Sequence, residues 1–309
     1  MKIVFMGTPN FSVPILEMLY KKHHILAVIT QPDKQVGRKK EFVFSPVKMK
    51  ALSLNLDVYQ PENLRLDYQF IIDLNPDLMI TAAYGQMLPK DLLDQITAIN
   101  VHGSILPTYR GGAPIQYALF DGLKQTGVTI MYMAYKMDSG DIIKQEKIDI
   151  EEEDNYQSLS IKLSHLGVKL LDEVLQDLSN GIINRVPQDE RLITFAKTLS
   201  YQDEKISFQW TCEKIINRIR GLSPDIGASA TIFGHVLKFY KAVKSDIMTL
   251  QQQPGTVLQS KKRLIIQAVD GAIEILEIQA PGKKKMHIKD FLNGQNIIKD
   301  GDVFIEGMN

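Results

Sequence analysis

Apolar residues follow two alternating rhythms along roughly the first hundred positions. Short dense runs, KIVFM (2–6), ILAVIT (25–30), DLMITAA (77–83) and AINVH (98–102), suit strands, with DVYQ (57–60) as a further short one. Between them lie NFSVPILEMLYKKH, SPVKMKALSLN, DYQFIIDLN and KDLLDQI, whose apolar residues recur at helical spacing. Asn10 is placed to cap the first helix. Ser45 and Pro46 mark the second helix more sharply, as N-cap and first helical residue. Strands separated by helices of this length predict an α/β fold, a Rossmann-like, mostly parallel sheet with helices on both faces. Ligands of such sheets bind beyond the carboxyl ends of the strands.

From Gly127 the rhythm changes. GVTIMYMAYKMDSGDIIKQEKIDI predicts two strands joined by a loop around Asp138–Asp141. A long helix follows Asp154, with Leu159, Leu163, Leu166, Leu170, Val174 and Leu178 on one face and Gly181 as its stop. Residues 182 to about 205 have weak periodicity and read as a linker. The expected organisation is therefore a domain over 1–183, a linker over 184–205 and a second domain over 206–309. In the latter, ISFQW reads as a strand and TCEKIINRIRGL as a helix. SATIF, VLKFYKAV, GTVLQ, RLIIQAV and AIEILEIQ are closely spaced strands with turn signals such as Asp270-Gly271, which predicts a small OB-like β-barrel.

The chain has 309 residues, 44% of them hydrophobic and 23% charged, enough for two packed cores. No run approaches the roughly 18 apolar residues of a membrane span, so no membrane partner is expected. The start, MKIVFMGTPNF, lacks signal-peptide character, and the single cysteine, Cys212, suits a reducing cytoplasm. The net charge of zero hides an asymmetry. Residues 1–203 carry 21 Lys/Arg against 25 Asp/Glu, and residues 204–309 carry 15 against 11. A polyanion partner for the basic part and ordinary compositional scatter explain this equally well.

The chemistry gathers in AINVHGSILPTYRGGAPI (98–115). On a strand Asn100 and His102 share a face, while Val101 points the other way. An Asn amide can donate to a carbonyl oxygen as it becomes an oxyanion, and a His can do the same or move a proton. A polar pair that merely ends a strand is the plain alternative. The following loop, with three Gly and two Pro, frees backbone groups that can bind the edge of a planar heterocycle. The MDSGD turn offers Asp138 to hold a His ring or tune its charge, with Asp141 its near neighbour; a solvated acidic turn is the alternative. Six His without ligand spacing and no Cys cluster predict no metal. MGTPNF is not a dinucleotide fingerprint. Gly7 there serves a tight turn or a close approach of ligand.

Seven segments taken together, FMGTPNFSVPILEML, ITQPDKQVGRKK, SPVK, AAYGQMLP, INVHGSILPTYRGGAPIQYAL, TGVTIMYMAYKMDSGDI and APGKKKMHIKDFLNG, resemble the methionyl-tRNA formyltransferase family in order and over nearly the whole length. The resemblance implies the formyltransferase fold with a C-terminal barrel domain. It also implies transfer of a formyl group from 10-formyltetrahydrofolate to initiator methionyl-tRNA by a monomeric cytoplasmic enzyme. Asn100, His102 and Asp138 match the family's catalytic trio. Ser104, Ile105, Leu106 and Pro107, with Tyr84, Gly85 and Leu88, match its folate-contacting segments; Ile105 departs from the usual Leu. Arg38, Lys39 and Lys40 fall in the inserted loop that meets the acceptor end of tRNA.

The implied tRNA-binding groups of the C-terminal domain are Lys261, Lys262 and Arg263, and Lys283, Lys284 and Lys285. Lys238 and Lys244 are expected on one strand face and Lys241 on the other. Lysines that only solvate the barrel are the competing reading for each. After the first C-terminal helix the chain reads RIRGLSPDIGASA and lacks the family's tryptophan, while Trp210 precedes that helix. Three other functions remain in view: formylation of an amino-sugar nucleotide, hydrolysis of the formyl-folate, and RNA binding without catalysis.

Overall fold

The computed structural model describes residues 1–36, 41–247, 251–294 and 298–305. Two compact units emerge. One comprises Met1–Pro114, Gln125–Asp149 and Ser160–Lys197; the other comprises Ile115–Lys124, Ile150–Leu159 and Thr198–Asn309.

The chain begins β1 (Lys2–Gly7), α1 (Val13–Lys22), β2 (His24–Ile29), β3 (Lys34–Val36), β4 (Glu41–Val43), α2 (Pro46–Ser53) and β5 (Val58–Tyr59). It continues α3 (Gln69–Asp73), β6 (Leu78–Ala82), α4 (Lys90–Leu93), β7 (Ala98–His102), α5 (Pro114–Phe120), β8 (Gln125–Tyr132), β9 (Ile142–Asp149) and α6 (Tyr156–Ser179). Seven strands form one sheet in the order β5-β2-β1-β6-β7-β8-β9. The five from β5 to β7 are parallel, and β8 and β9 are added antiparallel. The central strand β6 is buried at every position, as a strand covered on both faces must be.

Local signals explain most boundaries. Ser45 caps α2, its Oγ accepting from Lys48 N at 3.0 Å. Asn10 does not cap α1: Asn10–Ser12 winds as a 3-10 turn, and the helix begins at Val13 with Pro14 in its first turn, where a missing N–H costs nothing. In α6 the residues Leu159, Leu163, Leu166, Leu170 and Val174 are buried as their spacing predicts, and Leu178 is half-buried near the end. Gly181 adopts φ +76, the left-handed turn of a helix stop.

The aperiodic stretch after α6 is fastened to the first unit by its backbone. Val186 bridges Ile142, and Phe195 bridges Arg110. Ile183, Val186, Leu192 and Phe195 are exposed, so no apolar face needed to repeat along this stretch.

The second unit contains α7 (Cys212–Gly221), β10 (Ala228–Ile232), β11 (His235–Lys244), β12 (Val257–Gln259), β13 (Leu264–Ala268), β14 (Gly271–Gln279), β15 (Met286–His287) and α8 (Ile288–Asn293). Its sheet runs β10-β11-β14-β13-β12, with β15 on β14. Ile305 bridges Thr231 in β10, and Val303 bridges Thr256 beside β12, so the last described residues join the two edges of the curled sheet. Ile215, Ile219, Phe239, Ile266, Ile275 and Phe304 lie in its core.

Two expectations fail here. ISFQW is a turn and not a strand, with Trp210 N donating to Ser207 O; only Lys205, just before it, makes a ladder bridge, to Ser229. In β11 the register shifts twice between Phe239 and Ala242, so these residues, three apart, both enter the core. A bulge of this kind breaks the alternation. Lys238 and Lys241 consequently share the outer face, and Lys244 no longer matches Lys238.

Candidate active site

Strand β7 stands where the sheet changes from parallel to antiparallel pairing, with β6 on one side and β8 on the other. Val101 turns toward α6: a Cβ added at Gly167 would lie 2.8 Å from Val101 Cγ1. Alternation then puts Asn100 and His102 on the opposite face. Asn100 is half-buried, and its Oδ1 accepts from Thr81 Oγ1 of β6 at 2.8 Å. With the oxygen engaged, the amide's NH2 end is the part left to serve as donor.

His102 is 5% exposed. Its Nε2 lies 3.0 Å from Tyr109 O. A carbonyl only accepts, so Nε2 carries the proton. Nδ1 lies 3.8 Å from Asp138 Oδ2, an ion-pair distance for a doubly protonated ring and too long for a hydrogen bond. Asp138 Oδ2 accepts from Gly111 N at 2.7 Å. The structure therefore brings together Asn100, His102 and Asp138. It separates Asp138 from Asp141, whose carboxylate pairs instead with Arg185 at 3.6 Å.

The backbone around these groups is constrained. Asp138 and Tyr109 both hold left-handed φ, +47 and +59. Gly111 has φ +126, and a Cβ there would collide with Ala196 O. Non-glycine residues in such conformations persist only where neighbours fix them.

Ser104 to Pro107 form the next loop. Ser104 is buried, its Oγ donating to Thr108 O at 2.6 Å. The Thr129 hydroxyl donates to Ser104 O at 2.7 Å and accepts from Leu106 N at 3.1 Å. Gln145 Nε2 donates to Leu106 O at 2.8 Å. Leu106 is buried, while Ile105 and Pro107 are half-buried. In the 83–89 segment, Ala83 and Gly85 take φ +47 and +94. The side chains of Tyr84 and Leu88 sit in a core cluster with Val4, Met6 and Met79, so what these two positions can offer a ligand is backbone. Burial pushes the Tyr84 phenol well above its ordinary range. Tyr84 O itself accepts from Thr8 Oγ1 and Gln31 Nε2 at 2.9 and 3.2 Å. Gly7 serves a close approach within the protein: a Cβ there would lie 2.7 Å from Ser12 Cβ.

Several residues of this site were not anticipated. Thr81, Thr129 and Gln145 are ordinary polar residues within strands, and nothing in their spacing marks them. Arg110 and Gln188 are joined by hydrogen bonds of 3.0 and 2.7 Å, and Gln188 lay in the stretch without periodicity. Among the described residues no three His, Cys, Asp or Glu side chains gather as metal ligands.

The basic candidates divide. Arg38, Lys39 and Lys40 lie outside the described residues. Lys261 and Lys262 are exposed in the β12–β13 turn, and Lys283, Lys284 and Lys285 are exposed in the β14–β15 turn. Arg263 is already paired with Asp246 and Glu274 at 2.7 and 2.5 Å. Lys285 lies 3.3 Å from Glu277, and Lys238 lies 3.2 Å from Glu204. Trp210 packs under the cations of Lys214 and Arg218. Cys212 is buried, which together with Asp270 pushes its thiol up to about 12, the state of an inert core residue. No described helix is long and apolar enough to cross a membrane.

Residues 1–175 match the formyl transferase family model, and residues 198–296 match the formyl transferase C-terminal domain. The methionyl-tRNA formyltransferase of Listeria innocua is 49% identical over 298 residues, covering 95% of each chain. That of Lactobacillus acidophilus is 46% identical over 99% of this chain and 97% of its own. Among solved structures, HypX from Aquifex aeolicus in complex with tetrahydrofolic acid superposes with TM-score 0.64 at 17% identity, over 94% of this chain and 46% of that one. An N-formyltransferase from Helicobacter canadensis with folinic acid and dTDP-3-aminofucose gives TM-score 0.66 at 20% identity, over 91% of this chain and 99% of that one. At such identities the two structures speak to the fold alone. By its match to both domain models and its near-half identity to full-length relatives, the chain belongs to the methionyl-tRNA formyltransferase family.

Proposed function

We propose that this chain transfers the formyl group of 10-formyltetrahydrofolate to the amino group of initiator methionyl-tRNA, as a monomer in the cytoplasm. The observation that carries this is 49% identity along 95% of a methionyl-tRNA formyltransferase. Residues 1–183 carry the chemistry and residues 206–309 hold tRNA, with 184–205 between them. Initiator tRNA supplies the amine, and the folate supplies a formyl carbon bonded to N10.

The neutral, largely backbone-built segments 83–89 and 104–107 fit an uncharged heterocycle better than a metal or a phosphate, so Tyr84, Gly85, Leu88, Ser104, Ile105, Leu106 and Pro107 are assigned to the folate. The amine nitrogen bonds to the formyl carbon as the carbon–N10 bond breaks. One proton leaves the amine and one arrives on N10. Asn100 donates to the oxygen on which negative charge grows, supported by the engagement of its Oδ1 by Thr81. His102 acts as a second donor or as proton carrier, its Nε2 proton leaving Tyr109 O for the reacting groups. Asp138 orients the ring from the Nδ1 side, supported by the 3.8 Å approach. Lys261, Lys262, Lys283 and Lys284 meet tRNA phosphates, with Lys285 and Arg263 held back by their acidic partners; Arg38, Lys39 and Lys40 are assigned to the acceptor end.

The test is to incubate the purified protein and 10-formyltetrahydrofolate with charged initiator methionyl-tRNA, with an amino-sugar nucleotide, and with no acceptor. Formylated methionyl-tRNA is expected. A formylated sugar, or free formate without acceptor, would overturn the assignment.

A further inference from the structure

The surroundings of both His102 nitrogens depend on one short segment, Gln188 to Ala196. Tyr109, whose carbonyl meets Nε2, has its N–H bound by Thr194 Oγ1 at 2.8 Å. Arg110 N donates to Thr194 O at 2.9 Å, and Ala196 N donates to Arg110 O at 2.8 Å. On the Nδ1 side, Gln188 Nε2 donates to Asp138 O and Gly140 O, each at 2.8 Å. Gln188 Oε1 accepts from Arg110 Nε and Nη2 at 3.0 and 2.7 Å. One amide thus spends two donors on the loop that carries Asp138, and its acceptor on the residue next to Tyr109.

The Arg110 guanidinium makes this demanding. The residue is 2% exposed, its Nη1 has no hydrogen-bond partner, and among the described residues no carboxylate pairs with it. A buried cation without an anion relies on polar acceptors to stay where it is. Gly140 leaves no slack on the other side, since a Cβ there would collide with Tyr132 O. Gln188 thus tethers the backbone of the Asp138 loop, beside the Gly111 N–H that holds the Asp138 carboxylate.

We propose that Gln188 is a positioning residue for formyl transfer, setting Asp138 and the Tyr109 carbonyl at once against the two nitrogens of His102. This rests on the formyltransferase reading above. Gln188 touches no reacting atom; it acts through Asp138 and Arg110. Displacement of a reacting group by about an ångström costs on the order of 100-fold in rate, whereas substrate affinity depends on other surfaces.

Gln188→Glu is the discriminating variant. It keeps an acceptor for Arg110 and replaces the donors to Asp138 O and Gly140 O by a repelling oxygen. Gln188→Met removes all four bonds at similar volume and decides the matter if the first variant does not fold. The expected result is kcat lowered by roughly 10- to 100-fold, with KM for both substrates little changed. The melting temperature changes little in Gln188→Glu, which keeps an acceptor for Arg110, and falls in Gln188→Met, which strands the guanidinium. The pH profile of kcat should also move, because the surroundings of the His102–Asp138 pair have changed. Wild-type-like kcat and pH profile in the folded variant would overturn the inference, as would a lowered kcat accompanied by a raised KM with the profile unmoved. The wild-type protein in the same assay separates the two claims: its failure to formylate methionyl-tRNA would remove the functional assignment itself.

Discussion

Thr81 Oγ1 donates to Asn100 Oδ1 at 2.8 Å, one strand reaching across to set the amide of the next. The parallel register opposes these two residues directly, so the bond follows from the ladder itself. Thr81→Val keeps the shape of a buried β-branched side chain and removes the donor. The expected outcome is a loss of about 1 kcal/mol in stability and roughly a 10-fold fall in kcat, smaller than the roughly 100-fold expected for Asn100→Ala. Steady-state kinetics beside thermal melts check this; equal losses for both variants would mean that Thr81 does more than orient the amide.

Gly111 illustrates how little freedom the loop has. Gly111→Ala would require φ +126 of a residue with a Cβ and would drive that atom into Ala196 O. Its N–H also bonds Asp138 Oδ2, so a displaced backbone takes the carboxylate with it. The expected destabilisation is about 2 kcal/mol, accompanied by loss of activity. Chemical denaturation measures the first, and a wild-type midpoint would contradict the geometry.

These two cases show what could be read in advance. Asn100 and His102 were legible because a period of two is written into any strand, and Ser45-Pro46 because a helix start needs those residue types. The Gly111–Asp138 contact was not legible: it depends on two left-handed turns far apart in sequence. Gln188 was missed because its segment buries little apolar surface and so carries no rhythm. The bulge in β11 was missed for the opposite reason, as HVLKFYKAVK alternates well enough to hide a one-residue slip. The edge-joining bridges at Val303 and Ile305 are too isolated for any pattern.

Asp33 gives a pH-dependent prediction. Its carboxyl is held below the ordinary value of 3.8, first by the hydrogen bond from Lys48 and then by one from Gln60. A lowered folded-state value means stability present above about pH 4 and lost as pH falls through the folded value. Lys48→Met removes the first cause. The acid-unfolding midpoint, followed by circular dichroism, should move to higher pH, and the neutral-pH melting temperature should fall as well, because the pair's contribution is fully present there. An unmoved acid limb would show that the pair contributes nothing to acid resistance.

The basic turns of the second unit should behave unequally, because a cation already spent on a carboxylate has less to give a phosphate. Arg263 bonds Asp246 and Glu274, and those partners raise its guanidinium above its ordinary value. Lys261, Lys262, Lys283 and Lys284 stand exposed with no ion pair among the described residues. Replacing any one of these four by Ala should weaken tRNA binding and reduce the slope of log affinity against log salt by about 1. Arg263→Ala should leave that slope unchanged and act on barrel stability, since it strands two carboxylates, Glu274 the more buried. Filter binding of tRNA across a salt series distinguishes the two classes. A slope change for Arg263→Ala equal to that of the lysines would mean that its acidic partners let go when tRNA arrives.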